Sequence, residues 1–279
     1  MKTPRVGFVT AVEIGTACID AIAHLGGHLD LVVTLAEDTD PAKSGRADVA
    51  AVAGAYDFPL VTVAHINDPG ALMAIQQADL DWLFVIGWSQ IVGPDVLSSP
   101  KRGAIGAHPT LLPKGRGRAP IPWTILKGLE ESGVTFFIMD EGVDTGMIIG
   151  QDRFNVDADE TATTLYAKVI DSHRRLIRRV WEMILADEVR GEPQDDAYAT
   201  IWPKRTPADG EIHATMTVAE ASRLVRATTR PYPGAFIKGP TGRITIWAGQ
   251  TEQRPATTSS LPVELGDGTF WATDYESRD

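Results

Sequence analysis

Between Gly103 and Gln151 the chain gathers the residue types that move protons. His108 is followed by a glycine-punctuated loop with Lys114, Arg116 and Arg118, and then by a turn with Asp140, Glu141 and Asp144. Imidazole titrates near neutral pH, so a histidine at a strand end can accept and donate a proton. The blander alternative is a structural histidine whose ring satisfies a backbone group. The carboxylates could bind a divalent cation, orient a histidine, or form a solvated loop. The three cations suit an anionic ligand, arginine more than lysine where two-pronged contact with phosphate is needed.

These residues need elements to position them. The apolar run Ala104–Ala107 delivers His108 to a strand end, and Pro109 and Pro113 stop regular structure beyond it. Val134–Met139 alternates as a strand and runs into Asp140–Gly146, after which Met147–Ile149 is apolar again. Upstream, Arg5–Thr10, Leu29–Leu35, Pro59–Val63 and Trp82–Ile86 read as strands. Gly15–Leu25, Ser44–Tyr56 and Asp68–Ala78 read as helices between them. The alternation implies a Rossmann-like α/β fold, a doubly wound and mostly parallel sheet whose ligands gather at the carboxyl ends of the strands. The first βα turn, Thr10–Gly15, lacks the glycine fingerprint that cradles a dinucleotide pyrophosphate, so neither NAD nor FAD is supported.

Pro120–Gly128 and Thr161–Ala186 read as further helices. The longer one carries Arg174, Arg175, Arg178 and Arg179, which read as a solvated face ahead of a phosphate or partner contact. Pro193–Gly210 is polar and proline-containing, the composition of a linker. After it come a helix, Val218–Ala227, and short strand-like runs at Ala235–Lys238, Arg243–Ala248, Val263–Leu265 and Thr269–Ala272. The expected layout is an N-terminal domain over 1–190, a linker over 191–210 and a small C-terminal β domain over 211–279.

A chain of 279 residues that is 43% hydrophobic can bury a real core. Its longest apolar stretch, Leu83–Trp88, is far shorter than a membrane span, and Glu13 and Asp20 interrupt any signal-peptide core, so a cytoplasmic location without a membrane partner is expected. The single cysteine, Cys18, excludes an internal disulfide and reads as an apolar packing residue on the first helix. The scattered histidines form no metal-ligand spacing, and no essential metal is expected. A net charge of −11 and a pI near 5.0 disfavour a nucleic-acid partner, since that affinity rests on clustered Lys and Arg neutralising phosphates.

Three blocks of the segment carry a family likeness: His108-Pro-Thr-Leu-Leu-Pro113, Arg116-Gly-Arg-Ala-Pro-Ile121, and Gly133-Val-Thr135 with Met139-Asp-Glu-Gly-Val-Asp-Thr-Gly146. They resemble the signature of the folate-dependent formyltransferases, the group with methionyl-tRNA, glycinamide ribonucleotide and nucleotide-sugar N-formyltransferases. Lys204–Gly210 and Arg230–Ala235 are similar to the linker and the opening of the C-terminal domain in the tRNA and sugar members. The resemblance thus covers nearly the whole chain, and it implies an OB-like fold for the small β domain.

What it implies chemically is transfer of a formyl group from N10-formyltetrahydrofolate to a primary amine, by way of a tetrahedral oxyanion. His108 would handle the proton and Asp144 would orient its ring. Trp88, Ser89, Gln90, Ile91 and Val92, together with Asp140, Glu141 and Val143, would cradle the pterin. Thr110, Lys114, Arg116, Gly117, Arg118 and Pro120 would meet the acceptor, a small amine for which a nucleotide-linked amino sugar is the leading expectation. Other readings are methionyl-tRNA formylation, formylation of an amino acid of the hydroxyornithine type, hydrolysis of the donor, and a folate-binding protein without catalysis. A homodimer is left open.

One position departs from the pattern. The family asparagine two residues before the histidine, which helps hold the oxyanion, is Gly106 here. Loss of one oxyanion donor costs about 10²–10³ in turnover elsewhere. Compensation is expected from a polar neighbour such as Ser89, Gln90 or Thr110, or from a backbone N–H or ordered water in the space that glycine leaves; loss or change of activity is the alternative.

Overall fold

The structure, a computed structural model, describes residues 3–36, 39, 44–239, 242–252 and 260–278. Its first half alternates as expected: β1 (Val6–Val9), α1 (Glu13–His24), β2 (Leu31–Leu35), α2 (Val49–Ala55), β3 (Leu60–Val63), α3 (Pro69–Gln77), β4 (Trp82–Val85), α4 (Pro94–Leu97) and β5 (Gly103–His108). Then follow β6 (Arg116–Gly117), α5 (Pro120–Leu126), β7 (Glu131–Ile138), β8 (Ile148–Asn155) and the long α6 (Ala162–Ala186). After β9 (Ile201–Trp202) come α7 (Val218–Thr228), β10 (Ala235–Lys238), β11 (Arg243–Gln250), β12 (Leu261–Leu265) and β13 (Gly268–Arg278).

Compact packing divides the chain into two interleaved units. The first comprises 1–117, 133–154 and 168–201; the second comprises 118–132, 155–167 and 202–279.

The sheet of the first unit has seven strands in the order β3-β2-β1-β4-β5-β7-β8. β3, β2, β1, β4 and β5 are parallel, whereas β7 runs antiparallel to β5. The parallel strands are Val-, Leu- and Phe-rich because both their faces are covered, and Val6, Phe8, Val33, Leu83, Phe84 and Ile105 are buried. Chain order reverses between β1 and β4, the switch point where α/β sheets bind ligands. The loops leaving these two strands approach closely: Gly87 takes φ +69°, and a Cβ there would lie 2.2 Å from the Val12 methyl. Cys18 is buried on α1, and burial pushes its thiol far above the ordinary range, as suits packing.

The second unit is built on a curled antiparallel sheet of four strands, β10-β11-β13-β12, with register shifts in β11 around Ala248. α7 packs Ala221, Leu224 and Val225 into its core beside Ile246 and Phe270. A capping box between Thr217 and Glu220 starts this helix. Among the described residues no helix is long and apolar enough to cross a membrane.

Candidate active site

His108 is the last residue of β5, and Ala107 and His108 pair with Phe136 and Thr135 on β7. The ring is buried, with only 6% of the residue exposed. Its Nδ1 lies 3.5 Å from Asp144 Oδ2, and its Nε2 lies 2.8 Å from the Gly115 carbonyl oxygen. A ring protonated at Nδ1 serves Asp144, and one protonated at Nε2 serves Gly115.

Asp144 owes its aim to an uncommon backbone. It takes φ +56°, the left-handed region, and its Oδ2 accepts a hydrogen bond from Gly117 N at 2.8 Å. The turn around it is self-braced: Asp140 Oδ1 accepts from Gly142 N at 3.0 Å and from Thr145 Oγ at 2.7 Å. Gly146 closes the turn because a Cβ there would sit 1.8 Å from the Ile138 carbonyl oxygen. Glu141 and Val143 are exposed, Val143 at 65%.

The proline-rich stretch after His108 is fastened by β7 and β8. Thr135 Oγ donates to the Thr110 carbonyl and accepts from Leu112 N and from Gln151 Nε2, all within 3.1 Å. Thr110 itself is 2% exposed, and its hydroxyl finds no partner among the described residues. Lys114 is exposed. Arg116, in contrast, is buried, and its guanidinium is engaged by Gln194 and Asp196 rather than left open to a ligand. Arg118, exposed, and Pro120, the first residue of α5, belong to the second unit.

At the end of β4, Trp88 is half-buried against the core, its indole N–H buried without a partner among the described residues. Ser89 is exposed, Val92 is half-buried, and Ile91 leaves 75% of its surface exposed. Gln90 is not free to act on a ligand through its amide. Its Oε1 accepts from Ile66 N at 2.9 Å and its Nε2 donates to the Ala64 carbonyl at 2.8 Å. Asn67 completes the stitch, donating to the Ile91 carbonyl and accepting from Gly93 N at 2.9 and 2.8 Å.

Gly106 is crowded on the side where a side chain would project. A Cβ at this position would meet Phe137 Cζ at 2.9 Å and Met139 Cγ at 3.0 Å. Hydrophobic side chains of the neighbouring strand and its exit thus occupy the place into which an asparagine would project. Of the proposed polar substitutes, Gln90 is committed elsewhere, Ser89 is exposed and Thr110 is buried beside the histidine.

Sequence reasoning missed several residues here. Gln194 Nε2 donates to the carbonyls of Asp144 and Gly146, both at 2.8 Å. Thr200 Oγ accepts from Gly115 N at 2.8 Å, and Arg116 N donates to the Thr200 carbonyl at 2.9 Å. His173 of α6 lies buried against Phe136, ring centroids 5.7 Å apart. Burial, partly offset by the hydrogen bond to the Val169 carbonyl and reinforced by repulsion from His108, brings its imidazole down to about 4. In the basic patch of α6, Arg174 and Arg175 pair with Asp171 and Asp152.

A buried histidine at a strand end, faced by an aspartate from a glycine-closed turn, is an arrangement for moving a proton at an acyl centre. Comparison with known families matches residues 12–181 to the formyl transferase family and residues 204–278 to the formyl transferase C-terminal domain. The chain belongs to the formyl transferase family, and with it to the enzymes. An N-formyltransferase from Helicobacter canadensis, solved with folinic acid and dTDP-3-aminofucose, shares the fold: TM-score 0.71, 17% identity, 96% of this chain and 98% of that one. HypX from Aquifex aeolicus, solved with tetrahydrofolic acid, aligns over 100% of this chain but 45% of its own, with 14% identity and TM-score 0.70. Methionyl-tRNA formyltransferase from Clostridium thermocellum aligns over 89% and 94% of the two chains, with 18% identity and TM-score 0.63.

Proposed function

We propose that this formyltransferase takes its formyl group from N10-formyltetrahydrofolate and delivers it to the primary amine of a nucleotide-linked amino sugar. The observation that carries the transfer chemistry is the contact between His108 Nδ1 and Asp144 Oδ2 at 3.5 Å, held at the end of β5. With Nδ1–H turned to Asp144, Nε2 is the nitrogen that takes the amine proton, and the Gly115 carbonyl that faces it must withdraw when the amine enters. That movement has to overcome the hydrogen bond from Gly115 N to Thr200 Oγ at 2.8 Å. Asp144 holds the ring in orientation and balances its charge.

A folate donor is supported by the exposed apolar side chains on the two loops that leave β4 and β7, Ile91 at 75% and Val143 at 65%, which could cover the faces of a flat heterocycle. The bound donor would supply the formyl carbon, while the surrounding residues exclude water and position the amine. Lys114, exposed on the loop that follows His108, would meet the acceptor's negative charge. The acidity of the chain supports a small acceptor over transfer RNA. The fold shared with an enzyme crystallised with a dTDP-linked amino sugar supports the same choice.

The test is spectroscopic release of tetrahydrofolate from N10-formyltetrahydrofolate, with and without nucleotide-linked amino sugars, amino acids and charged initiator tRNA. Release that depends on an amino sugar is the expected result. Release with tRNA alone, or with no amine at all, would overturn the acceptor. A second reading, folate binding without transfer, is favoured by Gly106 and by the apolar side chains packed around it; tight binding with no release on any amine would select it.

A further inference from the structure

Arg116 and Gln194 lie far apart in the chain and outside the proton-moving pair, yet they meet behind it. We infer that Gln194 is a positioning residue for Asp144, and that Arg116 is its anchor; the inference rests on the role proposed above for His108 and Asp144. Arg116 Nε and Nη2 donate to Gln194 Oε1 at 3.1 and 2.8 Å, which fixes the plane of the amide. The same amide's Nε2 then donates to two carbonyls of the acidic turn, Asp144 O and Gly146 O, both at 2.8 Å. One planar side chain therefore grips the turn on both sides of Thr145.

This grip falls where the backbone needs it. Asp144 is a non-glycine residue in the left-handed region, a conformation that persists only when its surroundings fix it. If the peptide relaxed toward ordinary φ, the carboxylate would swing away from His108 Nδ1 and from Gly117 N, which now donates to it at 2.8 Å. Arg116 is well suited as an anchor because it is buried and is held at its backbone too, through Arg116 N to the Thr200 carbonyl. Its second partner, Asp196, also accepts from Nη2 and leaves the positive charge paired without displacing the amide, since Nη2 carries two hydrogens and can serve both acceptors. The outcome is a chain of contacts from Arg116 through Gln194 to Asp144 and so to His108, with each donor matched to an acceptor.

The chemistry of the amide is specific. Only a group with an acceptor on one side and a two-hydrogen donor on the other can face a guanidinium and two carbonyls together. Gln194→Glu keeps the shape and the Arg116 contact but sets a carboxylate against two carbonyl oxygens. Gln194→Met keeps the length and loses both functions, and Gln194→Asn keeps the amide on a shorter stem.

Three readouts test this: kcat and KM for formyl transfer, thermal midpoint, and the ¹H–¹⁵N spectrum of the histidine rings. In Gln194→Glu we expect kcat to fall at least tenfold with KM within about twofold, and the His108 Nδ1–H resonance to move while the other histidines hold still. Gln194→Asn should fall between Glu and the parent. A merely structural role predicts a lower thermal midpoint with kcat and the His108 resonance unchanged, and that result would overturn the inference. Should the parent protein transfer no formyl group, the failure lies with the proposed function; the ring spectrum then decides alone, a shifted His108 resonance supporting the strap and an unmoved one refuting it.

Discussion

The two loops that leave β4 and β7 make an instructive pair. Both contain glycines where the backbone is forced close to a neighbour, and both leave a large apolar side chain exposed, Ile91 in one and Val143 in the other. They differ in how polar groups are spent. The Gln90 amide of Gly87–Gly93 and the Asn67 amide of the segment after β3 are consumed in stitching the two together. In Asp140–Gly146 the bracing comes from Asp140, Thr145 and the remote Gln194, which leaves the Asp144 carboxylate for His108. A loop whose side chains hold it in place can offer a ligand mainly backbone and apolar surface. A loop braced by residues other than its central carboxylate can offer that charged group.

The largest effect should come from the second loop and its histidine. His108→Ala and Asp144→Asn are each expected to slow formyl transfer by about 10²–10⁴-fold with little change in thermal midpoint. Steady-state rates with donor and amine in excess check this; near-parent turnover in both variants would leave the two loops chemically alike.

The β7 side should also be the acid-sensitive side. The His173 ring is held below its ordinary value of 6.5, at about 4. Above 6.5 the ring is neutral in both states. Below it the unfolded ring takes a proton that the folded one refuses, so stability drops as pH falls from 6.5 to about 4, by roughly 3 kcal/mol in all. Urea melts across that range should show the loss, and His173→Phe should flatten it. An equal slope in the variant would assign the sensitivity to another group.

Gly106→Asn sharpens the comparison at the strand between the loops. Because its Cβ would press on Phe137 and Met139, the change should cost about 1–3 kcal/mol and slow transfer. Adding Met139→Ala should recover most of that stability. A single variant that is stable and faster than the parent would show that an amide donor is missing and that the pocket yields to it.

The smallest change is expected in the first loop. Asn67→Ala removes the bonds to the Ile91 carbonyl and from Gly93 N, at about 1 kcal/mol of stability, and should raise the donor KM a few-fold with kcat retained. A fall in kcat to match that of Asp144→Asn would mean that both loops orient the reacting groups.

Much of this was readable in advance because its signals are local. The strand ending at His108, the acidic turn closed by Gly146 and the alternation of β1 to β5 each follow from short runs of residue types. What stayed hidden depends on which strands become neighbours. That Gly106 is crowded follows only once β5 lies beside β7 and brings Phe137 and Met139 against it. Arg116 read as a cation for a ligand, with a structural role in the family as the alternative; nothing near it in sequence predicts the burial against Gln194 that it shows. Gln194 itself lies in a polar stretch with no periodicity, where an amide that grips a distant turn looks the same as one in water. His173 lies in the helix read over Thr161–Ala186, where only the arginines stood out, and its suppressed charge follows from the burial that packs α6 on Phe136.

The position of Gln194 and Thr200 also sets an order of events during synthesis. A ribosome extending this chain at about 5–20 residues per second releases the whole His108 to Gly146 motif well before the segment that braces it. Until Gln194, Asp196 and Thr200 emerge behind α6, the acidic turn has its aspartate but lacks the partners that lock its left-handed backbone and the Gly115–Gly117 loop. The nascent protein therefore carries its reactive residues before it carries the partners that align them.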